Sequence, residues 1–240
     1  MPSPGRFVLW AVAIAVEVVL LGFLGSQRDW LQRTLDVDHL FERVSLLVVI
    51  VFGESILATI TEIDAHWTVE GGVTATLAFL AISLLAWVFF RYASGSAEAG
   101  LRRLQSDGRI GALRDAVMYL PFVLVAGIAL FASGLGTAVA EAGHRLAPGA
   151  ALCIAGGIAL FYLASVVESL RYGVLWRDVV LWGIPGVVLP WAIVPVAAVA
   201  TAGVVVAAVV LLIVVLIGFA EANRRQMRAN GRSMLAAGST

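Results

Sequence analysis

The chain has 240 residues, 61% hydrophobic and 13% charged, with 16 basic residues balancing 16 acidic ones. The charged share is about half of the roughly 25% usual in a soluble domain, and with a mean hydropathy of +0.97 this argues against a water-soluble fold. All 16 basic residues are arginine, with no basic stripe suited to nucleic acid, and Cys153 stands alone, which excludes an intrachain disulfide and a multi-cysteine metal site.

A membrane-spanning helix needs about 20 apolar residues, and hydropathy divides the chain into seven such stretches. The chain opens MPSPGRF and enters the first, 7–25, without an A-x-A-like cleavage site, so this stretch reads as a retained helix. The second, 40–60, carries Glu54 between Gly53 and Ser55 in an otherwise apolar run, and the third covers 72–92. The connector after it, GSAEAGLRRLQSDGRIGALRD, reads as a solvated basic loop that enforces topology. Its alternative is a short interfacial helix turning Leu101 and Leu104 toward lipid. The fourth and fifth stretches cover 116–139 and 149–172. The last two share one apolar tract of 42 residues, too long for one crossing of a core about 30 Å thick. Pro195 is the expected turn between 179–196 and 200–220. The segment 223–240 is polar and rich in small residues, and is expected as a mobile tail on a single membrane domain of residues 1–222. The expected fold is therefore all-α, a polytopic transmembrane bundle of about seven helices.

Arginines outside these stretches are distributed unevenly. One side carries Arg6 and Arg145. The other carries Arg28, Arg33, Arg102, Arg103, Arg109, Arg114, Arg177, Arg224, Arg225, Arg228 and Arg232. Positive charge stays on the cytoplasmic side, which predicts an N-terminus outside and a cytoplasmic C-terminus. Tryptophans near the boundaries, among them Trp67, Trp87, Trp176 and Trp191, suit the interface. Ala129, Ser133 and Thr137, spaced by four, and Gly183 with Gly186 are the expected helix contacts, because small residues let helices approach in lipid.

Glu54 is the residue most in need of explanation. A carboxylate at this depth costs free energy unless it faces protein or water, and such groups are functional by default. At ~100° per residue, His39, Arg43, Glu54 and Thr61 fall within about 60° of one another, with Gly53 beside them. Such a polar stripe is expected to turn into the bundle. Arg43 and Glu54 are roughly 16 Å apart along the helix and cannot pair. Glu17 in the first stretch is the candidate neighbour of Glu54. Two close carboxylates resist joint ionisation, so one holds a proton near neutral pH, which suits proton or cation handling. The bland counterpart is a protonated Glu54 bonded to backbone or to Ser55, fixing helix contacts only.

A second polar group gathers at the cytoplasmic ends of the helices. His39, Glu42 and Arg43 begin the second, Arg91 ends the third, and Glu168 with Arg171 ends the fifth. Glu42 with Arg91 or Arg171, and Glu168 with Arg43 or Arg171, are sensible charge pairs. A structural staple is the simpler reading, since arginines at helix ends snorkel to headgroups. A lipid- or small-molecule-processing role for His39, Glu42 and Arg43 is the third reading. Phosphate-loop, dinucleotide, zinc-hydrolase and nucleophile-elbow motifs are absent, so no catalytic residue, metal or cofactor is expected.

The stretch HLFERVSLLVVIVFGESILA resembles the signature of the bacterial low temperature requirement A (LtrA) family, similar to H-x-x-E-R-x-x-L-x-x-I-I-x-L-G-E-x-I-L. His39, Glu42, Arg43, Leu46, Gly53 and Glu54 fill matching positions. LLAWVFFRYASGSAE and YLPFVLVAGIALFASG resemble later family segments, and the likeness runs collinearly from about His39 to Tyr172. Longer family members carry a preceding membrane half with a motif similar to E-L-F-F-D-L-V-F. That half is missing here, so the chain resembles the C-terminal half of such a protein. Ser45 stands where the family often has glycine. The resemblance implies an integral membrane protein of the bacterial inner membrane, linked by name to growth in the cold, with no established molecular activity. The leading expectation is transport or handling of a proton, ion or small solute through Glu54, Ser55, Gly53 and Glu17. The alternative is a structural or cold- and stress-adaptation protein that transports nothing.

Overall fold

The computed structural model describes residues 12, 16, 37–65, 67–108 and 119–237. Among the described residues there are helices and short turns, and no strand. Six helical segments are long and apolar enough to cross a membrane: Phe41–Glu62, Val69–Tyr92, Leu120–Ala140, Pro148–Arg171, Trp176–Val199 and Ala202–Ala222. They correspond to the last six of the seven predicted stretches, and the protein is a multi-pass membrane protein. The stretch 7–25, with Glu17, lies outside the described residues apart from helical Val12 and Val16.

The elements follow from local chemistry. Helix α1 (Val37–Ala65) is one continuous helix, wholly apolar from Leu46 to Phe52 and carrying Glu54 just beyond that run. Helix α2 (Val69–Val88) starts at Thr68, whose hydroxyl accepts from the Gly71 amide at 2.9 Å, and Glu70 sits favourably in its first turn. A π-helical turn, Phe89–Ala93, links α2 to α3 (Ser94–Ser106). Helices α4 (Leu120–Ala140) and α5 (Pro148–Arg171) each carry proline in the first turn, where the missing N–H leaves no bond unmade. Helix α5 ends on Gly173, whose φ of 84° is the left-handed conformation that glycine adopts without strain. The Val174 amide reaches the Ser169 carbonyl and the Gly173 amide reaches Leu170, both at 3.1 Å, which closes a Schellman cap.

The last tract differs from the expected split at Pro195. Helix α6 (Trp176–Val188) passes through a 3₁₀ turn at Leu189–Ala192 into α7 (Ile193–Val199), and these cross the membrane together. Pro190 and Pro195 fall in first turns, where proline costs little, so neither stops the crossing. The turn comes at Ala200, which is extended (φ −104°, ψ 161°). There the Ala202 amide donates to the His144 carbonyl at 2.8 Å and the Gly203 amide to Ala142 at 3.3 Å. Helix α8 (Ala202–Ala237) then runs back, and its helical backbone continues through residues 223–237.

In lipid the packing of apolar helices rests on close approach. Helices α4 and α5 supply it. A Cβ on Gly127 would meet the Gly157 carbonyl oxygen and the Phe161 amide nitrogen, each at 2.9 Å, and one on Gly134 would meet the Ala150 carbonyl at 2.8 Å. The fully buried Phe131, Leu135, Ile154, Ile158 and Phe161 interlock around this seam. The predicted repeat of Ala129, Ser133 and Thr137 is not the seam. Ala129 and Ser133 are exposed, because they lie roughly 110–150° round the helix from the face that carries Gly127 and Gly134. Gly183 and Gly186 do mark a contact, against Val166 and Tyr162 of α5.

The connector after the third predicted stretch is also more ordered than a solvated loop. In α3, Leu101 and Leu104 are 4% and 2% exposed. They face protein rather than lipid, because α3 lies across the ends of α1 and α5. Arg102 and Arg103 take the outer side.

Candidate functional site

Helix α1 packs on α2, α3 and α4. Val48, Phe52, Ser55 and Thr59, spaced four, three and four apart, are buried and define its inward face. Glu54 and Gly53 are exposed, as are His39, Arg43, Ile50 and Thr61. The expected inward turn of the polar stripe is thus reversed. Two large side chains, Val48 and Phe52, anchor the opposite face of α1 in the core. Gly53 offers no competing close contact, since a Cβ there would meet nothing within 4 Å. Among the described residues, no hydrogen bond or ion pair reaches the Glu54 carboxylate.

Ser55, next in sequence, turns about 100° away from Glu54. Its hydroxyl donates to the Val51 carbonyl at 2.7 Å, and Thr59 donates to the Ser55 carbonyl at 3.0 Å. Both hydroxyls are satisfied inside their own helix. At the start of α1, Arg43 Nε donates to His39 Nε2 at 2.9 Å, so these two residues of the stripe are joined while Glu54 stands apart.

The arginine-rich ends of the helices hold a different arrangement from the predicted charge pairs. Glu168 is bonded by a tyrosine: the Tyr172 hydroxyl donates to Glu168 Oε1 at 2.6 Å. Arg43 bonds His39 instead of Glu168. Burial, and then the Glu168 carboxylate beside it, push the Tyr172 phenol above its ordinary value. Arg91, Glu42, His39 and Arg43 are exposed. The guanidinium of Arg91 lies 5.8 Å from the Tyr92 ring centroid, and Trp87 meets the same ring edge-on at 5.7 Å. The Tyr92 hydroxyl donates to Glu221 Oε2 at 3.1 Å and ties the π-helical turn to α8.

Sequence reasoning did not single out Tyr92, Tyr172 or Glu221. For Tyr172 a signal existed, since it lies four residues after Glu168 on one helix face. For Tyr92 and Glu221, 129 residues apart, only the fold brings them together. At the opposite end, Glu141 Oε2 accepts the Ala147 amide at 3.0 Å, and Arg145 bridges Thr201 in extended backbone. Among the described residues no group of three histidine, cysteine or acidic side chains is placed to hold a metal ion.

Chemically, the site divides in two. One tyrosine–carboxylate bond closes the end of α5, and another ties the π-helical turn to α8. The Glu54 carboxylate is exposed on α1 and makes no bond among the described residues. A family model described as bacterial low temperature requirement A protein (LtrA) matches residues 1–217, a wider stretch than the motifs in α1 to α5. No curated protein and no solved structure matches the chain.

Proposed function

The chain belongs to the bacterial low temperature requirement A family, and on that footing we propose that it handles a proton, ion or small solute through Glu54. One observation carries this reading: the Glu54 carboxylate is exposed and unbonded among the described residues, about 12 Å inside the span from Glu62 at ~1.5 Å per residue. Hydrocarbon is a poor solvent for such a group, so it either borders water or carries a proton. Both states suit exchange of a proton or cation. Gly53 keeps the helix surface beside the carboxylate open, Ser55 follows it, and Glu17 supplies a second acid in the first predicted span. His39, Glu42, Arg43, Arg91, Glu168 and Arg171 form the polar end of the pathway. The arginine asymmetry supports an inner-membrane protein with the arginine-rich end cytoplasmic and the N-terminus outside.

The test is proton or cation flux into proteoliposomes under an imposed potential, with thermal unfolding measured in parallel. Glu54→Gln is expected to abolish the flux while leaving the unfolding temperature close to wild type. Unchanged flux in that variant sinks the proposal.

The tyrosine bonds favour a second reading, a structural or cold- and stress-adaptation protein that moves nothing. They lock α5 to its own cap and α2 to α8. On this reading, Glu54→Gln and Arg43→Ala lower stability in step with any cellular defect. A variant that keeps its stability and loses function contradicts it.

A further inference from the structure

A groove of about 240 Å³ runs along the outer seam of α5 and α6, lined by Val166, Leu170, Trp176, Val180, Gly183 and Val187 among other apolar residues. Gly183 lets α5 approach α6, since a Cβ there would lie 2.5 Å from the Val166 side chain, and the groove runs beside that close contact. From Trp176 to Val188 the groove follows α6 for roughly 18 Å, a little more than half of a hydrocarbon core about 30 Å thick. That is the depth of one leaflet, on the arginine-rich side.

The mouth of the groove is amphipathic. Trp176 lines it and is 62% exposed. The Arg177 guanidinium stacks over the Trp176 ring at 5.6 Å. Arg177 is exposed and makes no ion pair among the described residues. An apolar channel one leaflet long, with an aromatic ring and a free guanidinium at its polar end, complements a molecule with an acyl chain and an anionic head. We propose that this groove binds an anionic phospholipid, one acyl chain lying along α6 and the phosphate meeting Arg177. The guanidinium supplies forked donors for phosphate oxygens, and the tryptophan holds it in place.

The test uses the full chain purified in mild detergent. It is titrated with palmitoyl-oleoyl phosphatidylglycerol or with the matching phosphatidylcholine, and bound lipid is read by native mass spectrometry. Wild type is expected to retain phosphatidylglycerol about fivefold more strongly, the factor that one cation at an anionic membrane surface supplies. Arg177→Gln, a surface change, is expected to remove that preference with the unfolding temperature unchanged. Val180→Trp, which fills the groove, is expected to lower retention of both lipids. Equal retention of the two lipids by wild type, or an undiminished preference in Arg177→Gln, overturns the proposal. Disulfide-linked dimers of an Ile184→Cys variant assign the groove to a second copy of the chain and overturn it equally.

Discussion

The Tyr172 hydroxyl bonds the Glu168 carboxylate one helical turn back, at 2.6 Å, and the Tyr172 ring occupies the space left by Gly100 of the crossing helix α3. One side chain thus joins three features: the end of α5, the half-buried Glu168, and the helix laid across the bundle. A methyl on Gly100 would enter the ring itself.

Tyr172→Phe is expected to lower stability by about 1–2 kcal/mol, because it strips Glu168 of its donor. Gly100→Ala is expected to cost about 1–3 kcal/mol by overpacking. The two changes touch the same ring, so their effects are expected to be less than additive. Thermal or denaturant unfolding in detergent measures all three variants. Wild-type stability in both single variants contradicts the arrangement.

Adjacent glycines on α5 provide an internal control. A Cβ on Gly157 would lie 2.5 Å from the Phe131 amide nitrogen and 2.7 Å from the Gly127 carbonyl. Backbone cannot yield as a flexible side chain can, so α4 and α5 must separate. A Cβ on Gly156 meets only the edge of Trp191, at 4.0 Å. Gly157→Ala is expected to destabilise by about 2 kcal/mol or more. Gly156→Ala is expected to be neutral or to gain up to about 1 kcal/mol from helix propensity. The same unfolding assay decides. Equal effects at the two positions argue against a backbone-close seam.

Ser45 presents the opposite case, a polar atom with too little to do. Among the described hydroxyls of α1, those of Ser55, Thr59 and Thr61 each donate to a carbonyl four residues back. Ser45 Oγ is buried and has no hydrogen-bond partner among the described residues. Ser45→Ala removes that unsatisfied group and is expected to raise stability by about 1 kcal/mol. A loss of stability in Ser45→Ala shows that the hydroxyl is in use.

The membrane class, the six described spans and the arginine asymmetry were legible because they depend on composition summed over about 20 residues. The direction of a helix face was not. On α1 the wheel correctly grouped His39, Arg43, Glu54 and Thr61. Whether that group faces in or out depends on which neighbours Val48 and Phe52 find. The α4–α5 seam was missed because Ala129, Ser133 and Thr137 make a cleaner four-residue pattern than Gly127 and Gly134. Only the two glycines allow backbone contact. The turn was placed at Pro195 because proline is a strong local signal. The structure puts it at Ala200, where carbonyls of the 141–147 turn accept the amides of Ala202 and Gly203. The tyrosine partner of Glu168 lies only four residues on and was legible in the spacing, whereas that of Glu221 is 129 residues away and comes from the fold alone.

The outward aspect of Glu54 makes a chemical prediction independent of transport. Dicyclohexylcarbodiimide partitions into lipid, takes the proton of a carboxyl group on nitrogen, and is attacked at its central carbon by the carboxyl oxygen, giving an acylisourea that rearranges to a stable N-acylurea. Glu54 is exposed on a spanning helix, with an open surface at Gly53 beside it. Glu168 is shielded by the Tyr172 bond, and Ala147 holds the Glu141 carboxylate. Brief treatment of the protein in lipid is therefore expected to add one carbodiimide unit, at Glu54. Glu54→Gln should lose the adduct, while Arg43→Ala should keep it, since Arg43 bonds His39 rather than the acid. Peptide mass spectrometry locates the modified residue. Labelling at Glu168 with none at Glu54 means that the carboxylate of α1 is sealed by protein, and it removes the observation on which a proton or cation pathway rests.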